Sequence, residues 1–244
     1  MLRATHQKMR TDLDTQEFQN PLWGCVGSRM LVNLPGKAGS IRLVRPYYHF
    51  FKRFFDIVVC LVLLPIAVPI MLICGILVWL ESPGPIFFCQ KRTGKSGERF
   101  KMFKLRTMVA NAEALKKSVA HLNELTWPDF KISDDPRITR VGRFLRKSSL
   151  DELPQMFNVL LGQMSLVGPR PTSFDVSAYS LWHTERLEVI PGVTGLWQIS
   201  GRSDIDFDPR LKLDVEYIEH RSFWLDLVIL FKTVFALCQR NGAY

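Results

Sequence analysis

The chain reads as a mainly helical α+β protein, a monotopic membrane protein with an N-terminal re-entrant helical hairpin, interfacial amphipathic helices and a small cytosolic α/β region. Three observations predict this. Residues 57–80, "IVVCLVLLPIAVPIMLICGILVWL", carry no charge, and about 20 apolar residues suffice to cross a hydrocarbon core. Pro65 and Pro69 sit four apart in the middle of that segment, where each removes a backbone donor and favours a bend. Basic residues flank it on both sides: Arg42, Arg45, Lys52 and Arg53 before, then Lys91, Arg92, Lys95, Arg99, Lys101, Lys104 and Arg106. A spanning helix would carry one of those flanks across the membrane, against the positive-inside tendency. A segment that enters, breaks near Pro65–Pro69 and returns to the same face satisfies both, if its freed backbone groups find shelter.

The predicted organisation is a tail or linker at 1–51, the re-entrant hairpin at 52–81, and a cytosolic region at 82–244 that ends in an interfacial helix. Directly after the apolar segment, "SPGP" is a turn and "IFFCQ" a short strand. "KRTGKSGERF" sets two glycines among basic residues. That composition suits either a hairpin turn or a turn whose amides approach phosphate. "RFKMFKLRTM" alternates basic and apolar positions, as a strand with one solvated face does. Residues 111–130 read as helical, then as a loop ending in "TWPDF". Farther on, "VIPGVTGLWQISGR" is a Gly/Pro-punctuated loop whose Trp197 packs in the core or against a base or sugar. "LDVEYIEHRS" carries acids at Asp214, Glu216 and Glu219. The final "SFWLDLVILFKTVFALCQR" is apolar but interrupted by Asp226 and Lys232, a poor spanning helix and a good interfacial one.

Composition narrows the classes of function. A net charge of +9 over 244 residues points to an anionic partner such as nucleic acid, a phosphorylated substrate or a lipid surface. Five cysteines form no CxxC pair or His-flanked cluster, so structural zinc and a secreted disulfide scaffold are not expected. Residues 1–40 lack the apolar core of a secretory signal. No nucleic-acid-binding motif accompanies the charge.

The chemistry-bearing stretch is "SSLDELPQMFNVLLG", residues 148–162. Ser149 with Glu152 reads as a capping box, and Asp151 and Glu152 suit the first turn of a helix whose apolar face is Leu150, Leu153, Met156, Phe157 and Leu160. A carboxylate there, with Arg143, Arg146 and Lys147 nearby, is favoured as an anion. In "VGPRP", Pro169 and Pro171 hold Arg170 on a stiff extended backbone, which presents its fork to phosphate at little entropic cost.

"KRFFD" opening the apolar segment, then "SPGPIFFCQKRTGKSGERFKMFKLRTM", "SSLDELPQMFNVLLGQMSLVGPRP", "PGVTGLWQISGR" and "LDVEYIEHRSFWLDLVILFKT", in this order, closely resemble the bacterial sugar transferase family, the monotopic polyprenyl-phosphate phosphoglycosyl transferases. The resemblance runs from about Lys52 to near the C-terminus and is nearest to undecaprenyl-phosphate galactose or glucose transferases. It implies transfer of a hexose 1-phosphate from a UDP-sugar to undecaprenyl phosphate, with UMP released and Mg²⁺ assisting. The product would start a capsule, exopolysaccharide or O-antigen. By the same resemblance, Asp151 and Glu152 are the catalytic dyad and metal ligands, and Asp151 attacks the sugar-bearing phosphate. Lys104, Arg146 and Arg170 contact phosphate or nucleotide beside Pro169 and Pro171, and Asp214 is a further active-site acid. The implied partners are the UDP-sugar, the lipid carrier and the bilayer, not nucleic acid; residues 1–51 could also serve association between subunits, as a homo-oligomer. The implied location is the cytosolic face of the bacterial inner membrane. Transfer of an N-acetylated amino sugar is the alternative within the class. A non-catalytic membrane adaptor would explain charge and anchor but not the order of the motifs. Larger relatives place spanning helices before this region, so the chain is either a short member or the C-terminal piece of a longer protein.

Overall fold

Helix α1, Pro46–Glu81, runs for 36 residues through both Pro65 and Pro69. The computed structural model describes residues 46–124, 132, 134–175, 181–200 and 207–238. Residues 1–45 of the stretch read as linker, "TWPDF", and Gly201 with Arg202 lie outside the described residues. The expected break at the prolines is not found. Each ring removes one backbone bond and crowds the carbonyl four residues before it, a cost offset here by the packing of Ala67 and Met71 in the buried cluster. α1 also starts at Pro46, inside the stretch read as linker.

One narrow stripe of α1 is buried. Asp56, Cys60, Ala67, Met71, Cys74 and Val78 are all below a tenth exposed, and Leu64 packs partly beside them. Steps of three and four keep these positions on one helical face. Its other faces remain exposed and apolar, with Phe50, Phe54, Val62, Ile66, Leu72, Ile76 and Trp79 among them. The most apolar window has a mean hydropathy of 3.1. A helix this apolar, with its burden left in solvent, is suited to lipid.

Both ends of α1 are fastened to the same polar body. Near the start, Arg53 donates to the carbonyl oxygens of Val159, at 2.5 Å, and Leu160, at 2.9 Å. Asp56 accepts from the Ser165 hydroxyl at 2.7 Å and the Leu166 amide at 3.2 Å. At the far end, the Glu81 carboxylate accepts the Arg140 and Val141 amides, each at 2.8 Å. It thereby joins Thr139, whose hydroxyl accepts from Gly142, in capping the following helix.

The body starts with a hairpin. β1 (Phe87–Thr93) pairs antiparallel with β2 (Arg99–Leu105). At its tip, Gly94 N–H bonds Glu98 O and Gly97 N–H bonds Gly94 O. Those amides serve the turn and are not held out for phosphate, so the hairpin-turn reading stands. Residues 111–124 contain no α-helix, only 3-10 turns at Ala114–Lys116 and Ala120–Leu122.

Next come α2 (Arg140–Ser148), a 3-10 turn at Leu150–Glu152 and α3 (Gln155–Leu160). Gly142 of α2 passes so close to β2's continuation that an added Cβ would lie 2.0 Å from Thr107 O, which only glycine permits. Two short strands, β3 (Ser165–Val167) and β4 (Gly192–Thr194), pair in parallel. They are followed by α4 (Leu196–Ser200), α5 (Phe207–His220) and α6 (Phe223–Cys238).

In α6 the interrupting acid faces inward. Asp226, 2% exposed, accepts from the Tyr217 hydroxyl of α5 at 2.7 Å and, on its other oxygen, from Tyr48 and Lys52 of α1 at 2.9 Å each. Outward lie Trp224, Phe231, Val234 and Phe235. The helix therefore presents apolar residues outward because its carboxylate is spent on fastening it to α1 and α5. Removing one partner of a buried, hydrogen-bonded ion pair costs about 3–5 kcal/mol. Asp226→Ala is accordingly expected to unfold well below the parent in a detergent thermal melt, and equal midpoints would contradict this account.

Candidate active site

Ser149 adopts a left-handed conformation, φ 57°, which ends α2. The anticipated capping box does not form. The Ser149 side chain makes no cap bond, and the Glu152 carboxylate is engaged elsewhere. The sharp turn instead tips Leu150–Glu152 into a single 3-10 turn ahead of α3, so that the two neighbouring acids face different surroundings.

Glu152 is locked. Its Oε1 accepts from Lys104 Nζ at 2.8 Å and also from Arg170 Nη2. Its Oε2 lies 3.2 Å from Arg170 Nη1. Burial pushes its carboxyl up, but Arg170 and Lys104 override that and hold it well below the usual carboxylate range. Asp151, 7% exposed, has one loose ion-pair contact, 3.7 Å from Lys104 Nζ. Burial is the largest influence on it and pushes its carboxyl above the usual range. Lys104 and, more weakly, Arg146 and Arg170 pull it down, and Glu152 pushes it up. Of two adjacent carboxylates, one is committed to two cations and the other keeps its lone pairs for a reactant.

Lys104, Arg170, Asp151 and Glu152 are thus brought together as expected. Arg146 stands beside them, donating from Nε to the Thr107 hydroxyl at 2.9 Å and acting on Asp151 through charge. Arg143 and Lys147 do not join. Arg143 turns outward to Asp134 at 3.1 Å, and Lys147 is exposed. Help for the anion comes chiefly from Lys104 on β2, with weaker contributions from Arg146 on α2 and Arg170 in the "GPRP" loop.

Pro169 and Pro171 are buried on either side of Arg170. Gly192 N–H donates to Pro169 O at 2.9 Å, and Arg92 Nη1 donates to Pro171 O at 3.2 Å. Arg170 borders a cleft of about 150 Å³ lined by Arg92, Phe174, Arg186, Trp197, Arg210 and Asp214. Asp214 lies in this cleft, apart from the dyad, with Oδ2 2.7 Å from Arg186. Burial pushes its carboxyl up to about 6, against the pull of Arg186 and Arg210. Arg186 also donates to Arg170 O at 2.5 Å, so it links the cleft to the dyad. Arg210 sits 5.5 Å from the centroid of Trp197, a cation–π distance. Sequence reasoning missed Arg186 and Arg210. Both lie in unpatterned stretches, and only the tertiary fold brings them to Arg170.

Four arginines beside two aromatic rings and one acid suit a phosphorylated, ring-bearing ligand. Among the described residues, no three His, Cys, Asp or Glu side chains are grouped to hold a metal. Mg²⁺ commonly rests on one or two carboxylates together with substrate phosphates. With Glu152 taken by Lys104 and Arg170, the donor set fits a hard cation shared between Asp151 and a bound phosphate.

The profile of the bacterial sugar transferase family matches residues 47–240, and the chain belongs to that family. It is 46% identical over 200 residues to the undecaprenyl-phosphate galactose phosphotransferase of Salmonella typhimurium, covering 80% of this chain and 42% of that protein. It is 39% identical over 216 residues to the exopolysaccharide production protein ExoY of Sinorhizobium fredii, covering 86% of this chain and 94% of that one. It is 39% identical over 217 residues to an N-acetylgalactosaminephosphotransferase of Aeromonas hydrophila, covering 84% and 47%. The chain spans less than half the length of the first and third of these relatives.

The two carboxyls predict opposite effects of substitution. Glu152 has a lowered folded pKa, so its anion stabilises the fold above its ordinary pKa of about 4.5, and this is lost as pH falls through the lowered value. Glu152→Gln is expected to melt below the parent at pH 7, with the gap closing in acid. Asp151 has a raised folded pKa, so its ionisation opposes folding at neutral pH. Asp151→Asn is expected to melt at or above the parent, and a lower midpoint at pH 7 would contradict that assignment.

Proposed function

We propose that this chain transfers a hexose 1-phosphate, galactose or glucose, from a UDP-sugar to undecaprenyl phosphate, the step that starts a surface polysaccharide. The observation that carries the reading is the unequal pair: Asp151 with uncommitted oxygens beside Glu152 held by Lys104 and Arg170. The names of the relatives supply the substrates. In this reading the donor's diphosphate lies along Lys104, Arg146 and Arg170. Its uridine enters the cleft of Trp197, Phe174 and Asp214.

Asp151 attacks the sugar-bearing phosphorus, a P–O bond to the carboxylate forms, and the bond to the bridging oxygen breaks. UMP leaves with the electron pair. A phosphate oxygen of the lipid then attacks the same phosphorus, and the electron pair of the Asp151–phosphorus bond returns to the carboxylate. Dividing one displacement into two lowers each barrier, and fixed cations stabilise charge on the transferring group. Glu152 positions Lys104 and Arg170. Mg²⁺, when bound, neutralises charge on the donor's phosphates. Because attack requires the anion, activity falls on acidification, with a midpoint above the ordinary carboxylate range for Asp151.

The membrane reading is part of the same proposal. Both ends of α1 are bonded to one basic body, which supports a helix seated in the membrane with both ends on the same, cytosolic, face of the inner membrane. The exposed apolar face of α6 lies in the interface beside it, so the site meets a soluble donor and a bilayer-held acceptor together. The resemblance to the N-acetylgalactosaminephosphotransferase favours an amino sugar as the second reading.

Purified protein with undecaprenyl phosphate and Mg²⁺ is expected to release UMP from UDP-galactose or UDP-glucose. A panel including UDP-N-acetylgalactosamine decides the donor, and no release from any sugar would sink the enzyme reading. Asp151→Asn should lose turnover by on the order of 10⁴-fold, together with any covalent phosphosugar adduct seen by mass. For topology, cysteines introduced before Lys52 and after Glu81 should both resist impermeant labelling of intact cells. Labelling of either from outside would refute the same-face arrangement.

A further inference from the structure

Gln155 is fully buried, 0% exposed, yet neither Oε1 nor Nε2 has a hydrogen-bond partner among the described residues. An unsatisfied buried amide carries a desolvation cost. The same short helix shows that such a cost is avoidable. Asn158, one turn later and equally buried, takes Phe103 N–H at 2.9 Å and donates to Lys101 O and to Gln163 Oε1 at 2.7 Å each.

The position of Gln155 follows from its neighbours. The backbone is helical on either side of Leu153–Pro154, so residues three and four apart share a face. Three residues earlier on that face, Glu152 meets Lys104. Three residues later, Asn158 meets the backbone of Lys101 and Phe103. Gln155 is therefore enclosed against β2 between those contacts, one turn from Asp151. The groups there complement an amide: Lys104 has N–H donors beyond the one given to Glu152, and Asp151 has unused acceptor lone pairs.

We propose that Gln155 is a further residue of the transfer reaction. Neither bond is made in the free protein; in the phosphosugar adduct Oε1 accepts a spare proton of Lys104, and Nε2 donates to the Asp151 carboxyl oxygen that does not carry phosphorus. This rests on the reading that Asp151 becomes esterified. While the ester stands, that oxygen is a carbonyl. As the lipid phosphate attacks and the Asp151–phosphorus bond breaks, negative charge returns to the carboxylate, and a donor already aimed at it strengthens most in that second step. Gln155 thereby assists Asp151 as a leaving group more than as a nucleophile.

Intact-mass kinetics on the full protein separate the two half-reactions: adduct formation from UDP-galactose or UDP-glucose, whichever releases UMP, then discharge onto added undecaprenyl phosphate. Gln155→Met, of similar shape without the amide, is expected to form the adduct within a few-fold of the parent rate. It is expected to discharge the adduct about ten- to a hundredfold more slowly, the loss of one hydrogen bond to a charged group. Its melting midpoint should equal or exceed the parent's, because an unpaired buried amide has been removed. Discharge at the parent rate would overturn the assignment, as would a melting midpoint several degrees lower with both half-reactions unchanged, the mark of a structural amide. A parent protein that turns over without ever showing an adduct would overturn the ester and this assignment together, whereas a normal parent adduct with a normal variant overturns the role of Gln155 alone.

Discussion

Glu152 is held between Lys104 of β2 and Arg170 of the "GPRP" loop, and the relative placement of three separate segments follows from that clamp. Two cations near one buried site are mutually repulsive, and the acid between them makes their proximity tolerable. The cations are then available as a fixed pair, facing outward as well as toward Glu152. Asp151 shares their field without being consumed by it. Its poor pairing and raised carboxyl mark a group whose environment favours reaction over stability, a common compromise at working sites.

The second constraint is geometric. It comes from α1 and α6, which are both fastened to the body that carries the clamp. Along α1 the stripe from Asp56 to Val78 packs on the body while the remaining faces are left apolar and exposed. Polar residues within otherwise apolar helices act as fasteners. Asp56 holds β3, and Asp226 holds α1 and α5. Burying these carboxylates is costly in isolation, but Asp226 is paired with Lys52 and each oxygen of both accepts at least one hydrogen bond.

Much of this was legible in the amino-acid sequence, for reasons that differ by element. The apolar run at 57–80 and the alternation in "RFKMFKL" are local patterns, and α1 and β2 followed from them. The ordered motifs led to Asp151, Glu152, Lys104 and Arg170, which meet as anticipated. Three local rules failed where tertiary contacts outweighed them. Pro65 and Pro69 do not interrupt α1, because Cys60, Ala67 and Met71 on either side of them are packed in the core. The expected capping box is absent, because Glu152 finds stronger partners in two cations. Asp226, read as the polar face of an amphipathic helix, points inward because Tyr48, Lys52 and Tyr217 await it. Arg186 carried no local pattern, and Arg210 only its place one turn before Asp214 on α5. Their relevance comes from Asp214, which Arg210 neighbours on that helix and Arg186 reaches from across the fold.

Asn158 has a consequence for solubility. Arg106 N–H bonds Ile86 O, so alternate residues of β2 turn their backbone groups toward β1 while Lys101 and Phe103 turn theirs the other way. That outer edge of a two-stranded ribbon is an open template for another chain. The Asn158 amide occupies it at Lys101 O and Phe103 N, serving as a one-residue substitute for a third strand. The hairpin is thereby discouraged from zippering onto a neighbouring copy.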